Sequence, residues 1–597
     1  MNILLWILAF FFGYTIKKEG ENLNLFKTNS RMVLEGDGKK ISNAIVHLNE
    51  QLAKIKKKRV YVADFKKEGA ETNDTGRIQR AVTALSSGDT LVFEPDTIYD
   101  TTFISYVISI AGKNVEFEGK NSIIRVSDKG VSITAANSFK MRGVVIERKR
   151  QAVWNSDDTG LWIFDINNVD VEDNEIFGFT DSIGVGGRSK NVSIRHNILH
   201  HCGQEPIAVR ASCDFVLVEN NECFKHLGDG ILVKGAVNIT IRHNKIHTPI
   251  KDTDADYISW LDPNLPEGPP GAGGGITCNP EDGGIGARNM TICDNKLIGV
   301  MYGIGLLGVE VTKITDNYMK DIYYGNGIVI DNKPYRSQNY PSKNFFITGN
   351  HIENLMSTKV VFTGIRVNTG TVKVDDGYIS GNIVIPNGNH DGIIASGNMQ
   401  LVGNTIDQFR KGIRLSSGAK AIGNTVKKAH TSAIQTNSMD IQSDTLVIGN
   451  KINSDAPMYI GGNDNTIVNN DIFYTGAWWA IMFRAGSTGN KFDNKVNASN
   501  NQRIGGADGD FRNKNTIIDK VGKGKFVISG DGVSTVKTIP HGLGIIPVWV
   551  QVQPFSGDAG IAGIKYFLAD STNINVYFNN ALPAGTNNIT LMWKAES

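Results

Sequence analysis

The sequence predicts an all-β chain built as a right-handed parallel β-helix, and three observations carry that expectation. The first is a repeat: Asn168-Val-Asp-Val-Glu-Asp-Asn-Glu-Ile, Asn191-Val-Ser-Ile-Arg-His-Asn-Ile-Leu, Phe215-Val-Leu-Val-Glu-Asn-Asn-Glu-Cys and Asn238-Ile-Thr-Ile-Arg-His-Asn-Lys-Ile are the same short alternating strand closed by Asn and one more apolar step. The second is the period. That Asn falls at 174, 197, 221 and 244, so one unit takes 23 or 24 residues with β rather than helical alternation, as a stacked solenoid requires. The third is that the Asn column continues through Asn295, Asn317, Asn350, Asn382, Asn404, Asn424, Asn450, Asn470 and Asn490. Stacked Asn side chains at a turn can bond to the coils above and below and tolerate left-handed backbone.

Composition agrees. The 597 residues hold 65 glycines and only 20% charged residues, a turn-rich balance, and a solenoid of that length can be a single body. A net charge of +2 gives no field that would argue for nucleic acid as a partner. Cys202, Cys213, Cys223, Cys278 and Cys293 lie within the repeats with no CxxC pair, so they read as small buried hydrophobes.

Taken in order, residues 1–59 form an N-terminal region. Met1 to Ile16 is uncharged and apolar but lacks the basic start and cleavage site of a secretory signal. At ~1.5 Å per residue a helix there would be about 24 Å long, short of the ~30 Å hydrocarbon core, which leaves a membrane or assembly anchor and a buried oligomer plug as alternatives. Ile41, Ile45, Leu48, Leu52 and Ile55 are spaced 4, 3, 4, 3, the seam of a short coiled coil whose Ile-rich positions lean towards a homotrimer. A lone amphipathic helix on the solenoid's end is the competing reading.

The solenoid is expected over 60–520. A strand at Val60-Tyr-Val, an Asn73-Asp-Thr cap and a helix with Ile78, Val82 and Leu85 on one face would close its first coil, whose open edge otherwise invites pairing. This stretch resembles the opening motif of pectate-lyase-like β-helix proteins, with Lys66 where that family usually has Gly. The resemblance covers roughly residues 60–519 and implies the architecture rather than a substrate.

Three insertions leave the repeats: Thr248–Arg288, with Asp252, Asp254, Asp256 and Trp260; Asp331–Lys343, with Tyr335, Arg336 and Tyr340; and the short Val372–Tyr378. Loops leaving a rigid solenoid commonly build its binding surface. Asp252-Thr-Asp-Ala-Asp starts like a calcium loop, but Tyr257 stands where the EF-hand needs Gly and Pro263 at its twelfth position. The EF-hand is excluded, and no cofactor or metal is expected beyond a looser Ca2+ site there.

Residues 521–597 change pattern to short alternating strands between Gly, Pro and Asn turns, a small β-sandwich. The module is similar to the C-terminal module of bacteriophage tailspike and preneck appendage proteins. That resemblance implies a virion protein, a homotrimer, attachment to other virion proteins through the N-terminal region, and action at the host surface on capsular polysaccharide or wall teichoic acid.

The candidate chemistry lies in one column. Asp181, Glu205 and Asp229 each stand two residues before an apolar Ile and are 24 residues apart, so they stack on consecutive coils about 4.8 Å apart. Glycosidases use carboxyl pairs about 5–5.5 Å apart for retention or 6.5–9.5 Å for inversion, and the column offers both. Stacked acids also raise one another's pKa. Strict alternation would turn an acid two residues before an inward Ile inward too; Pro206 and Gly230 mark a turn that frees it. His200, His201 and His226 precede the column, and Arg210 and Lys234 follow it. With Trp260 and Tyr335, the residues His201, Arg210, His226 and Lys234 are the expected substrate contacts. Trp478-Trp479 and Tyr323-Tyr324 are further sugar-stacking candidates. Three functions compete: a hydrolytic depolymerase using the acids, a non-catalytic adhesin, and a lyase or epimerase of a uronic polymer using Arg210, Lys234 or a His.

Overall fold

The computed structural model describes residues 14–19, 22–27, 30–32 and 58–596, apart from 103–105, 149–157, 211, 248–272, 281–285, 332–341, 358–359, 368–374, 417, 429–436, 478, 499–503, 507–515, 519–521, 542–545 and 548. The coiled-coil seam Ile41–Ile55, Trp260, Tyr335, the acids Asp252 to Asp256 and most of the three insertions lie outside the described residues. The chain divides into two compact units, Met1–Arg59 and Val60–Ser597. In the first, Tyr14–Glu19, Asn22–Lys27 and Ser30–Met32 form an antiparallel sheet. Tyr14 to Ile16, which sequence reading grouped with the apolar segment, is therefore strand. Among the described residues no helix is long and apolar enough to cross a membrane.

The second unit is a right-handed parallel β-helix followed by antiparallel sheets. Each coil carries three strands. One coil runs Val169–Glu172, turns at Asn174, continues as Glu175–Phe177, and ends in Asp181–Gly186 before Lys190–Arg195 opens the next. The third strands stack into a 16-stranded sheet from Tyr106–Ala111 to Ile504–Gly506. Alternate residues point inward, giving one continuous, mainly aliphatic core from Val60 to Ile504. The helix Thr75–Thr83 buries Ile78 and Ala81 on that core, and Asp74 accepts from Asp100 N at 2.9 Å, tying the cap to the first coils.

The Asn column is a hydrogen-bond ladder. From Asn174 to Asn470 each member donates its backbone N–H and its Nδ2 to the Oδ1 of the next Asn, at 2.6–3.1 Å. Their side chains are buried, so each amide must find such partners. Two expectations need correcting. The left-handed residue is the one before the Asn (Asp173, His196, Asn220, His243), not the Asn itself. The ladder's last rung is Asn494; Asn490 belongs to a separate short ladder, Thr445–Asn465–Asn490, at another corner.

The C-terminal segment forms two three-stranded antiparallel sheets around their own core, including Ile539, Val552, Ile574, Val576, Leu591 and Trp593. Of the cysteines, Cys202, Cys213, Cys223 and Cys278 are buried, Cys293 is half-buried, and all five are free thiols.

Candidate active site

The third sheet fixes the acid column. Ile183 pairs with Ile207, Ile207 with Ile231, and Ile231 with Ile276, so the residues two places before them stack from coil to coil. Asp181 opens its strand opposite Thr159, and Asp229 opens its strand opposite Gly274.

The residue between acid and Ile resolves the alternation problem. A Cβ on Gly230, Gly303, Gly327, Gly392 or Gly412 would fall 2.5–2.8 Å from the core side chains of Ile246, Met319, Ile352, Ile406 or Val426. This position therefore faces inward, as does the Ile after it. Two successive inward residues require a bend, and the bend turns the preceding residue out of the coil. In the acid-bearing coils Ser182, Pro206 and Gly230 hold the position.

The three carboxyls differ in surroundings. Asp181 is buried; its Oδ2 accepts from Arg210 Nη2 at 2.8 Å and its Oδ1 from the Glu205 backbone N–H at 3.3 Å. Glu205 is half-buried, with its carboxyl hydrogen-bonded to that of Asp181. Burial, then this hydrogen bond, then the charges of Asp181 and Asp229 hold the Glu205 pKa up at about 9, with Arg210 opposing. Asp229 is also pushed above the usual carboxylate range by burial, against a hydrogen bond from the Tyr302 hydroxyl and the charge of Lys234. Burial and the charge of Asp229 raise the Tyr302 phenol in turn.

Tyr302 was not anticipated. Like the acids, it stands two residues before an inward Ile, Ile304, one coil beyond Gly274. A Cβ on Gly274 would lie 2.3 Å from the tyrosine ring, so only glycine lets the ring cross that coil and reach Asp229.

The remaining sequence candidates are distributed as follows. Arg210 is in the site, bonded to Asp181, and Lys234 is close enough for its charge to act on Asp229. His201 is half-buried on the neighbouring strand Ile198–Cys202. His226 is wholly buried, with Nδ1 3.1 Å from Gly228 O, and burial lowers its pKa to about 4. It is a neutral packing residue here, covered by Gly273, rather than a surface contact. His200 is sandwiched between Phe177 and Phe224, at 4.6 and 4.8 Å between ring centroids, and bonds to Glu175 at 2.9 Å. That ladder is on the second strands, apart from the acids. Tyr323 and Tyr324 are half-buried.

Beside the column, Trp162 and Phe164 lie against the outer face of the third sheet. Together with Arg188 and Arg210 they line an open cavity of about 660 Å3. One cluster of candidate metal ligands is found among the described residues, Glu172, Asp173 and His196, on another face; Arg195 bonds to Glu172 and Arg142 to Asp173.

A family model of the right-handed β-helix region matches residues 88–246, the stretch that holds Asp181, Glu205 and Asp229. Among curated proteins no sequence matches. Among solved structures, the chain is similar to the Azotobacter vinelandii mannuronan C-5 epimerase AlgE6 A-module, at 16% identity over 65% of this chain and 98% of that one, TM-score 0.44. It is also similar to a mutant tailspike protein of the E. coli bacteriophage HK620 in complex with a pentasaccharide, at 10% identity over 100% of both chains, TM-score 0.45. A third is the Thermotoga maritima exopolygalacturonase, at 14% identity over 60% of this chain and 92% of that one, TM-score 0.39.

Proposed function

We propose that the protein is a virion-borne depolymerase that hydrolyses a bacterial surface polymer, capsular polysaccharide or the glycosidic bonds of wall teichoic acid. The observation that carries this reading is the pairing of a carboxyl held up at about 9, Glu205, with a second carboxyl, Asp229, one coil away. At neutral pH Glu205 keeps its proton and can donate it to the leaving glycosidic oxygen. Asp229, in its ionised form, attacks the anomeric carbon or takes a proton from water. One coil is about 4.8 Å, which fits retention by a covalent glycosyl ester better than inversion. In the retaining scheme the proton given up by Glu205 is recovered from the water that cleaves the ester. Asp181 positions Glu205 and holds its proton in place, and Arg210 balances the charge that appears when Glu205 gives the proton up. The commitment of Arg210 to Asp181 favours hydrolysis over a lyase in which that arginine would be the base.

The trimer belongs to the same proposal. Val533, Phe555, Ile561 and Leu568 of the C-terminal module are more than half exposed, and neighbouring copies would cover such side chains.

Product analysis on bacterial envelope polymers tests the function. The wild-type chain should shorten one of them, without the ultraviolet absorbance of an unsaturated end, while Glu205→Gln and Asp229→Asn each lower the rate ~10²-fold or more and leave folding intact. Full activity in both variants would refute the acid pair. Attachment to the polymer without any change in its size would leave an adhesin.

A further inference from the structure

The acid column explains cleavage but leaves Trp162 and Phe164 without a role. Both occupy outward positions of the strand Thr159–Phe164, alternating with Leu161 and Ile163, which face the core. A single exposed apolar side chain is ordinary, but two aromatic rings side by side on a flat sheet face make a surface that can hold an occupant. Phe164 is 38% exposed and Trp162 half-buried, and their rings are nearly parallel, at 22° with centroids 6.0 Å apart.

The next coil is shaped to hold them flat. A Cβ on Gly184 would fall 2.6 Å from the Trp162 indole, and one on Gly186 would be 3.3 Å from both rings. Any other residue at 184 would lift the indole off the sheet. Two coils on, the Arg210 guanidinium stands 6.0 Å from the centre of the Trp162 ring, at the edge facing the acids, and bonds to Asp181. Arg188 is exposed on the opposite rim, while Asp165 is occupied by the Arg188 backbone N–H at 2.7 Å. The result is an apolar floor with guanidinium donors at its edges, joined to the carboxyls by one side chain. A sugar ring has this complement: an apolar face of C–H groups and a rim of hydroxyl oxygens.

We propose that Trp162 and Phe164 form a sugar-stacking subsite remote from the cleaved bond, so that the polymer lies along the helix axis and is cut internally. The inference rests on the hydrolytic reading of Glu205 and Asp229. The Trp162 strand is two coils before Glu205 and three before Asp229, about 10–14 Å at ~4.8 Å per coil. A sugar on the shelf is therefore not the sugar being cleaved. Only a chain long enough to span that distance gains from both, which makes the enzyme endo-acting.

The test separates the shelf from the chemistry by measuring binding in the Glu205→Gln protein. The probe is an array of bacterial-type oligosaccharides two to eight sugars long, followed by calorimetry on those bound. The longer chains should bind better than the shortest, and Trp162→Ala should weaken the longer ones roughly tenfold or more while Trp162→Tyr restores them. Phe164→Ala and Gly184→Ala, the latter displacing the indole without removing it, should act in the same direction; these cover the case in which Trp162→Ala fails to fold. In the cleaving protein, loss of the shelf should raise KM for polymer and leave the rate on a disaccharide unchanged. Wild-type affinity in Trp162→Ala and Gly184→Ala, or no oligosaccharide bound at any length, would overturn the subsite. Undiminished cleavage by Glu205→Gln with shelf-dependent binding would instead overturn the acid pair and leave the subsite standing.

Discussion

A protonated glutamic acid at neutral pH is a statement that can be checked without knowing the substrate. With its pKa at about 9 rather than the ordinary 4.5, Glu205 should be neutral in roughly 99 of 100 molecules at pH 7, since each unit is a factor of ten. Burial is the largest cause, and Asp181 supplies the next two, its hydrogen bond and its charge. Asp181→Asn should therefore lower the Glu205 pKa, though not to 4.5, because burial remains. Infrared difference spectra between wild type and Glu205→Gln would show the protonated carboxyl as a carbonyl stretch that titrates away near pH 9. In the Asp181→Asn background the same band should vanish at a lower pH. Stability must follow with a fixed sign. The folded pKa exceeds the unfolded one, so the contribution of Glu205 is complete below about pH 4.5 and is lost as pH rises through about 9. The slope is ~1.4 kcal/mol per pH unit within that window, and Glu205→Gln should flatten it. A Glu205 carboxylate already ionised at pH 7, or a band unmoved by Asp181→Asn, would refute the reasoning.

Gly274→Ala should push Tyr302 away from Asp229, removing a hydrogen bond that favours the ionised carboxyl; the acidic limb of the pH–rate profile then moves upward, as in Tyr302→Phe, and an unmoved limb would exclude the contact. Asn221→Ala removes the side-chain acceptor of the Asn197 backbone N–H, one of three acceptors of the Asn197 Nδ2, and the amide donor to the Ile194 carbonyl. Each such loss costs about 1–3 kcal/mol, so the thermal unfolding midpoint should drop clearly. The intact chain should have the mass of a trimer in solution, and Ile45→Asp should weaken assembly; a monomer would remove the coiled-coil reading.

The coil was legible because its repeat is written in chemistry that nothing else needs: a buried amide every 20-odd residues. The misassigned last rung has a local cause. Val468 pairs with Asp493 and Asp471 with Lys495, so two residues turn the corner in one coil and only Asn494 in the next. Asn490 follows Asn470 by 20 residues, the spacing of Asn404 to Asn424 and of Asn450 to Asn470, and it sits on a repeat of its own, so it was taken in place of Asn494. The acid column was legible from spacing, and Pro206 and Gly230 pointed to the turn that frees it. What spacing did not show is that the residue one step after each acid, Ser182, Pro206 or Gly230, itself faces the core. Tyr302 was hidden in the same column because an aromatic among aliphatic residues reads as packing. Trp162 and Phe164 were masked more thoroughly: Leu161-Trp-Ile-Phe164 is an unbroken apolar run, and only the glycines of the following coil distinguish its outward from its inward members.

The glycine-lined bend also quantises the candidate active site. Every coil presents one residue through it: Thr159, Asp181, Glu205, Asp229, Gly274, Tyr302, then Asn326 and Thr363. Exchanging any of them leaves the aliphatic interior untouched, and distances between them change only in whole coils. With Tyr302 also exchanged for a smaller residue, moving a carboxyl from 229 to 274 would lengthen the gap to Glu205 from about 4.8 to about 9.6 Å, from near the retaining range to the upper end of the inverting range. Under the proposed hydrolysis, the stereochemistry of cleavage is then a matter of which slots are filled, so a mechanism can be switched by exchanges between neighbouring turns.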